Sequence, residues 1–222
     1  LAILGSGIMP ASVISQVKKT CTYYQLNSEF QIQEYDSNWS YNFLNKQFEI
    51  KDLPYGNLNR ESAASAITAF KLLNKEDIDF KSIIERTNLK GRCDVIDNFI
   101  LDVSHNPASV KNLISFLDKN YKDTKFSAIF SSMNDKDNVS IINEISHLID
   151  EWNICSMSDD RFDAESLMKL TETLTHTKIN KLNTVYSAVE RGYHEGMPQI
   201  VFGSFITVSE AYKALEKLKS QL

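Results

Sequence analysis

Glycine and proline are scarce here: seven glycines and four prolines in 222 residues. Neither Gly-x-Gly-x-x-Gly nor Gly-x-x-x-x-Gly-Lys-[Ser/Thr] occurs, so the sequence has no dinucleotide fingerprint and no phosphate loop. The three cysteines, Cys21, Cys93 and Cys155, are far apart and odd in number. They fit neither zinc-ligand spacing nor a disulfide framework, and the simple expectation is a reducing, cytoplasmic compartment. No apolar run reaches the roughly 20 residues that span a bilayer. Leu1-Ala2-Ile3-Leu4 lacks a basic flank and reads as an internal strand rather than a secretory signal. No Met opens the chain, which fits a start inside a larger architecture. There is no basic stripe either: 24 basic and 29 acidic residues are interspersed, for a net charge of −5. Nucleic acid is therefore not an expected partner, and small molecules are.

What the chain does have is alternation. From Cys93 onward, apolar runs of strand length take turns with helical patterns. The runs are Phe99 to Val103, Phe126 to Phe130, Trp152 to Cys155 and Gln199 to Phe202. Helices are expected from Pro107, from Asp137 to Ile149, from Ala164 to Leu174, from Thr184 to Gly192, and at the end, where Val208, Ala211, Tyr212 and Leu215 make a stripe. The pattern implies α/β architecture with a mostly parallel, Rossmann-like sheet. The first 90 residues read differently. A helix over Ala11 to Lys19 precedes β runs at Phe30 to Tyr35, Trp39 to Phe43 and Gln47 to Ile50, with Asn45-Lys46 as a turn. A helix follows from Asn59 to Leu73, with Ala63, Ala66, Ile67 and Phe70 on one face, then a shorter one from Phe80 to Thr87. Lys90-Gly91-Arg92 breaks the pattern and marks a domain boundary, giving units 1–90 and 91–222.

The chemistry concentrates where strands hand over to helices. The run Phe99-Ile100-Leu101 ends in Asp102. His105, Asn106 and Pro107 follow at once, then a helix with Val110, Leu113, Ile114 and Leu117 on one face. Asp135-Lys136-Asp137 follows a second strand, and Gly203-Ser204 a third. In a parallel sheet these loops share one edge, where open α/β sheets place their ligands. Each residue has a plainer reading: Asp102 and Asn106 as helix caps, His105 as a partner of a loop carbonyl, Asp137 as a capping acid, Gly-Ser as a turn. Arg92 is one of five arginines, and either pairs with an interdomain acid or offers bidentate geometry to an anion. His147, His176 and His194 have no metal spacing and read as surface residues. Trp39 and Trp152 read as packing.

The segments Leu89-Lys90-Gly91-Arg92-Cys93, Ile100 to Pro107, Asn134 to Asp137 and Val201 to Phe205 resemble, in order and spacing, the bifunctional dihydrofolate synthase/folylpolyglutamate synthase family of the Mur ligase superfamily. Glu61 to Ile67 is similar to the helix that ends that family's central domain. The resemblance implies an ATP-dependent ligase, cytoplasmic, that adds L-glutamate to dihydropteroate or a folate through an acyl phosphate. It implies ATP and Mg2+ bound mainly on a central domain, with a C-terminal Rossmann-like domain closing over them. Carried over by position, Arg92, Asp102 and Ser62 contact ATP, His105 and Ser204 contact glutamate, and His105 and Lys136 serve the chemistry. No metal ligand is carried over.

The sequence also departs from the family pattern. The phosphate loop and magnesium ligands have no counterpart here. Ser62 stands where family members commonly have Asn, and Ile206 where they often have His or Tyr. The resemblance therefore implies the end of the central domain plus the C-terminal domain, inactive without a phosphate-loop region. The alternative is a free-standing module, without catalysis, that retains a nucleotide or amino-acid site.

Overall fold

A computed structural model describes residues 1–5, 9–44, 47–56, 58–74 and 76–221. The chain divides into two compact units, Leu1–Leu89 and Lys90–Leu222.

The first unit opens with β1 (Ala2–Leu4), α1 (Ala11–Thr20) and β2 (Tyr23–Gln25), and the two strands pair in parallel. Then β3 (Phe30–Glu34), β4 (Asn38–Phe43) and β5 (Phe48–Pro54) form an antiparallel meander. The expected turn at Asn45-Lys46 lies outside the described residues. Helices α2 (Arg60–Leu73) and α3 (Phe80–Arg86) complete the unit, and Asn59 caps α2 by accepting from Ser62 N at 2.9 Å. The buried face of α2 is Ala63, Ala64, Ile67 and Thr68, rotated from the expected stripe. The reason is polar: the Thr68 hydroxyl is buried against that of Tyr41, 2.8 Å away, while Ala66 faces an open cavity. Burial pushes the Tyr41 phenol up to about 12.

The second unit is a six-stranded sheet in the order β10-β9-β8-β11-β7-β6. Its strands are β6 (Asp94–Ile96), β7 (Phe99–Leu101), β8 (Phe126–Phe130), β9 (Ile149–Cys155), β10 (Lys178–Leu182) and β11 (Gln199–Phe202). All are parallel except β6, which forms an antiparallel hairpin with β7 at the sheet's edge. Side chains alternate between two faces. One face packs on α4 (Pro107–Asn120), α5 (Asn138–Ile145) and α6 (Ala164–Leu174); the other packs on α7 (Val185–Glu195) and α8 (Phe205–Lys219). This is the doubly wound arrangement that the alternation of strands and helices predicts.

Several boundaries differ from expectation: β7 ends at Leu101 rather than Val103, and β5 runs Phe48–Pro54 rather than Gln47 to Ile50. The α5 helix stops at Ile145 and tightens into a 3-10 turn, because Ile149 pairs with Phe126 and is needed in the sheet. Accordingly β9 starts three residues before Trp152, carrying Glu151 into the sheet. The α7 helix runs past Gly192 to Glu195, and left-handed Gly196 closes it.

Glu151 is only 7% exposed yet charged. Its Oε1 accepts from Lys178 at 2.7 Å, Asn180 at 2.7 Å and Arg191 at 2.9 Å. Burial alone would raise this carboxyl; the donors from Lys178, Asn180 and Arg191 outweigh it and hold the group below its ordinary value. A depressed folded value makes this contribution present above the unfolded pKa of about 4.3 and lost as pH falls through the folded one. We expect Glu151→Gln to cost about 2 kcal/mol at neutral pH, since hydrogen bonds to a charged group are lost. The gap from wild type should narrow in urea titrations repeated below pH 4 or so. A gap independent of pH would show that the carboxylate's charge is not what matters.

Among the described residues no helix is long and apolar enough to cross a membrane, and no group of three or more His, Cys, Asp or Glu is placed to hold a metal ion.

Candidate functional site

Strands β7, β11 and β8 are parallel neighbours, so their C-terminal ends open on one edge of the sheet. The loops there are bonded to each other. Asp102 N donates to Val201 O at 2.9 Å, Gly203 N to Ser104 O at 2.9 Å, and Thr207 Oγ1 to Ser131 O at 3.0 Å. Thus Asp102, His105 and Ser204 lie on joined segments. Gly203 sits at the junction with φ 108°, and a Cβ there would lie 2.4 Å from Ser131 O.

Asn106, not Asp102, is the helix cap. It accepts from Ser109 N at 2.9 Å, Ser109 returns a bond to Asn106 N, and Pro107 takes the first helical position. Asp102 is 5% exposed. One carboxylate oxygen accepts from the Ser104 amide at 2.8 Å and from the Ser104 hydroxyl. The other accepts from Cys93 N at 2.9 Å and from Cys93 Sγ at 3.4 Å. A carboxylate has about four acceptor positions, and all four are taken. Burial, with the Asp102 charge beside it, pushes the Cys93 thiol up, so it stays protonated and is no nucleophile.

His105 is half-buried. Its Nδ1 lies 2.9 Å from Val103 O, and since a carbonyl can only accept, Nδ1 carries the proton. In the neutral form of the ring this tautomer has its lone pair on Nε2. The ring of Phe205, a residue 60% exposed, sits 5.8 Å away.

Ser204 caps α8, accepting from Thr207 N at 3.0 Å, and is 3% exposed. Thr207 Oγ1 spends its proton on Ser131 O, so in the 2.7 Å contact between the hydroxyls Ser204 is the donor. One acceptor lone pair remains on Ser204 Oγ.

Lys136 lies on the loop that leaves β8 at the same edge, and its Nζ pairs with Asp135 at 3.2 Å. No bond joins it to Asp102, His105 or Ser204 among the described residues. Asp137 caps α5, accepting from Ser140 N at 3.1 Å. Arg92 is exposed, and its guanidinium makes no hydrogen bond or ion pair with any described residue. Ser62 belongs to the first unit, where it is exposed and lines, with Ile3, Gly5, Asn59, Glu61 and Ser65, a cavity of about 510 Å³. His147, His176 and His194 are exposed.

Three participants escaped the sequence reading: Ser104, Thr207 and Cys93. The first two carried a signal. Ser104 stands two residues past Asp102, the spacing of an Asx-type turn, and Thr207 three past Ser204, the spacing of a cap. Nothing local marks Cys93 as a partner of Asp102.

The family model for the Mur ligase glutamate ligase domain matches residues 86–205, more than half of the chain. Dihydrofolate synthase/folylpolyglutamate synthase of Buchnera aphidicola (from Acyrthosiphon pisum) is 29% identical over 223 residues, covering 90% of this chain and 52% of the relative. The Escherichia coli protein of that name is 22% identical over 228 residues, covering 99% and 53%. Among solved structures, Escherichia coli FolC in complex with DHPP and ADP superposes with a TM-score of 0.87 at 20% identity, covering 98% of this chain and 53% of that one. The Yersinia pestis bifunctional enzyme with Mn, AMPPNP and L-glutamate gives 0.84 at 23% identity, covering 96% and 53%. The chain spans about half the length of the curated relatives it matches.

Proposed function

The chain belongs to the Mur ligase family through its glutamate ligase domain, and from that premise we propose that it is the C-terminal part of an ATP-dependent ligase joining L-glutamate to dihydropteroate or a folate. The observation that carries this reading is the set of valences left open at the sheet edge. His105 Nε2 and Ser204 Oγ are both acceptors, and Lys136 and Arg92 are cations. An amino acid brings one ammonium and carboxylates, which is the complementary set.

In this reading glutamate's ammonium donates to His105 Nε2 and Ser204 Oγ, and a carboxylate meets Lys136. ATP with magnesium supplies the phosphoryl group that turns the acceptor carboxylate into an acyl phosphate. His105 takes a proton from the ammonium, the freed amine attacks the acyl carbon, and phosphate leaves. Arg92, exposed and without an ion pair, fits an anionic phosphate. Asp102 serves the nucleotide indirectly: a ribose hydroxyl would have to displace one of its four bonds, so the acid acts by fixing Cys93, the neighbour of Arg92. Ser62 faces the first unit's cavity, which has room for a nucleotide base. In this reading the phosphate loop belongs to the half of the relatives' length that this chain does not span.

Mixing this chain with a phosphate-loop half from the same protein or a close relative is expected to restore ligation that depends on ATP and glutamate, while the chain alone shows none. Ligation by the chain alone overturns the reading. Tight ATP or glutamate binding without rescue favours a non-catalytic binding module.

A further inference from the structure

Arg92 sits on a short strap, Lys90 to Asp94, that joins the second unit's sheet to its start. Two residues flanking Arg92 have left-handed backbones, Gly91 with φ 72° and Cys93 with φ 49°. The conformation at Cys93 costs a non-glycine residue on the order of 1–2 kcal/mol, so it persists only where its surroundings over-determine it.

The surroundings do so at every strap position from 91 to 94 except 92. Gly91 O accepts from Val103 N at 2.8 Å, and Gly91 N donates to Tyr212 Oη at 2.7 Å. Cys93 N donates to Asp102 Oδ2 at 2.9 Å. Tyr212 Oη in turn donates to Asp94 Oδ2. A Cβ at Gly91 would lie 2.8 Å from Val103 Cγ1, so the strap is also pressed against β7's extension. The Lys90 ammonium lies 5.7 Å from the centre of the Tyr212 ring. The Arg92 guanidinium, by contrast, makes no hydrogen bond or ion pair with any described residue and is exposed.

Tyr212 is the long-range member of this clamp, 121 residues from Gly91 in sequence. A phenol suits the place because it accepts and donates with one oxygen: the Gly91 amide fills one side, the Asp94 carboxylate the other. Phenylalanine would fill the space and make neither bond. Burial and the Asp94 acid push the phenol up, which keeps its proton in place. Tyr212 also lies on α8, the helix that Ser204 caps. At 1.5 Å per residue, about 12 Å of rigid helix separates the two. One element thus sets both the hydroxyl at the sheet edge and the strap that presents the arginine.

We propose that Tyr212 is a positioning residue that, through Gly91 and Asp94, holds the Arg92 strap in the one conformation that presents the guanidinium to the nucleotide's phosphates. This rests on the reading of Arg92 given above. Preorganisation is the physical gain: an arginine on a fixed strap does not have to be ordered when the phosphate arrives.

Amide hydrogen exchange on this chain tests the clamp without any activity. Tyr212→Phe is expected to speed exchange at Gly91 at least tenfold while the amides of β8 and β11 are unchanged; unchanged protection at Gly91 overturns the proposal. In the ligase assembled with a phosphate-loop half, Tyr212→Phe is expected to raise the KM for ATP about tenfold and to leave the KM for glutamate within twofold. In an Arg92→Lys background the same substitution should add little. An equal effect in both backgrounds means that Tyr212 acts on stability and not through Arg92, and overturns the proposal. If Arg92→Ala leaves ligation at the wild-type rate, the reading of Arg92 itself has failed, and the exchange result still decides whether the clamp exists.

Discussion

Replacing Gly203 by alanine is expected to destabilise the second unit by about 3–5 kcal/mol, and valine should prevent its folding at 37 °C. Two costs combine. The backbone has φ 108°, a conformation essentially reserved for glycine, and imposing it on another residue costs about 1–3 kcal/mol. The added Cβ would also lie 2.4 Å from Ser131 O and 2.7 Å from the Phe130 ring. The first of these is backbone, tied by Thr207, and the second belongs to a ring stacked 4.6 Å from Phe202, so neither can give way cheaply. Overpacking of this kind adds about 1–3 kcal/mol. The melting midpoint should fall by roughly 10 °C or more, followed by far-UV circular dichroism and by the fluorescence of Trp152, which packs 6.2 Å from the Phe202 ring. A Gly203→Ala chain that melts within 2 °C or so of wild type would mean that the three loops are not joined as described, and the case for a common site at this edge would fail with it.

In the assembled ligase, His105→Asn is expected to lower kcat by about 10²–10⁴, the usual contribution of a positioned proton acceptor, with little loss of stability. The substitution is chosen for its geometry. An asparagine amide can reproduce the Nδ1–H bond to Val103 O, so the loop keeps its anchor. It offers nothing where Nε2 stood. Anchoring and proton acceptance are thereby separated, which alanine would not do. The KM for glutamate should rise as well, because the ammonium loses one of two acceptors. Stopped assays at saturating ATP and folate substrate, with unfolding measured in parallel, check this. Activity within threefold of wild type in a folded His105→Asn chain would leave the imidazole with its structural bond alone and remove it from the chemistry.

Much of this protein was legible in the residue pattern. Strand β8, helix α6 and strand β11 fall where periodicity places them, because each is an apolar run or stripe bounded by polar residues. Asn106 announced its helix, since a cap is written in adjacent residues, whereas Gly203-Ser204 read as a turn and only the structure shows Ser204 capping α8. The strands that escaped are the edge strands. Lys178-Ile179-Asn180-Lys181-Leu182 has a charge at every third position, and β6 has only three residues. Edge strands face water on one side and carry charge there, which erases the apolar run that betrays a central strand. Glu151 hid the start of β9 for a related reason: a carboxylate reads as the end of a strand unless its partners from β10 and α7 are known.

The sequence by itself determined the alternation of strands and helices in the second unit, the cap that starts α4, and the family likeness carried by short segments around Asp102, Lys136 and Ser204. Those are properties of neighbours along the chain, set by periodicity and by side chains bonding the next turn. Only the tertiary structure decided which polar atoms remain open. Asp102 is saturated by Cys93 and Ser104, His105 is left with a bare Nε2, and Thr207 takes up Ser204's proton because its own goes to Ser131, 76 residues away. A hydrogen-bonding group's free capacity is what remains after all its partners are counted, and partners brought together by the sheet have no signature in the local sequence.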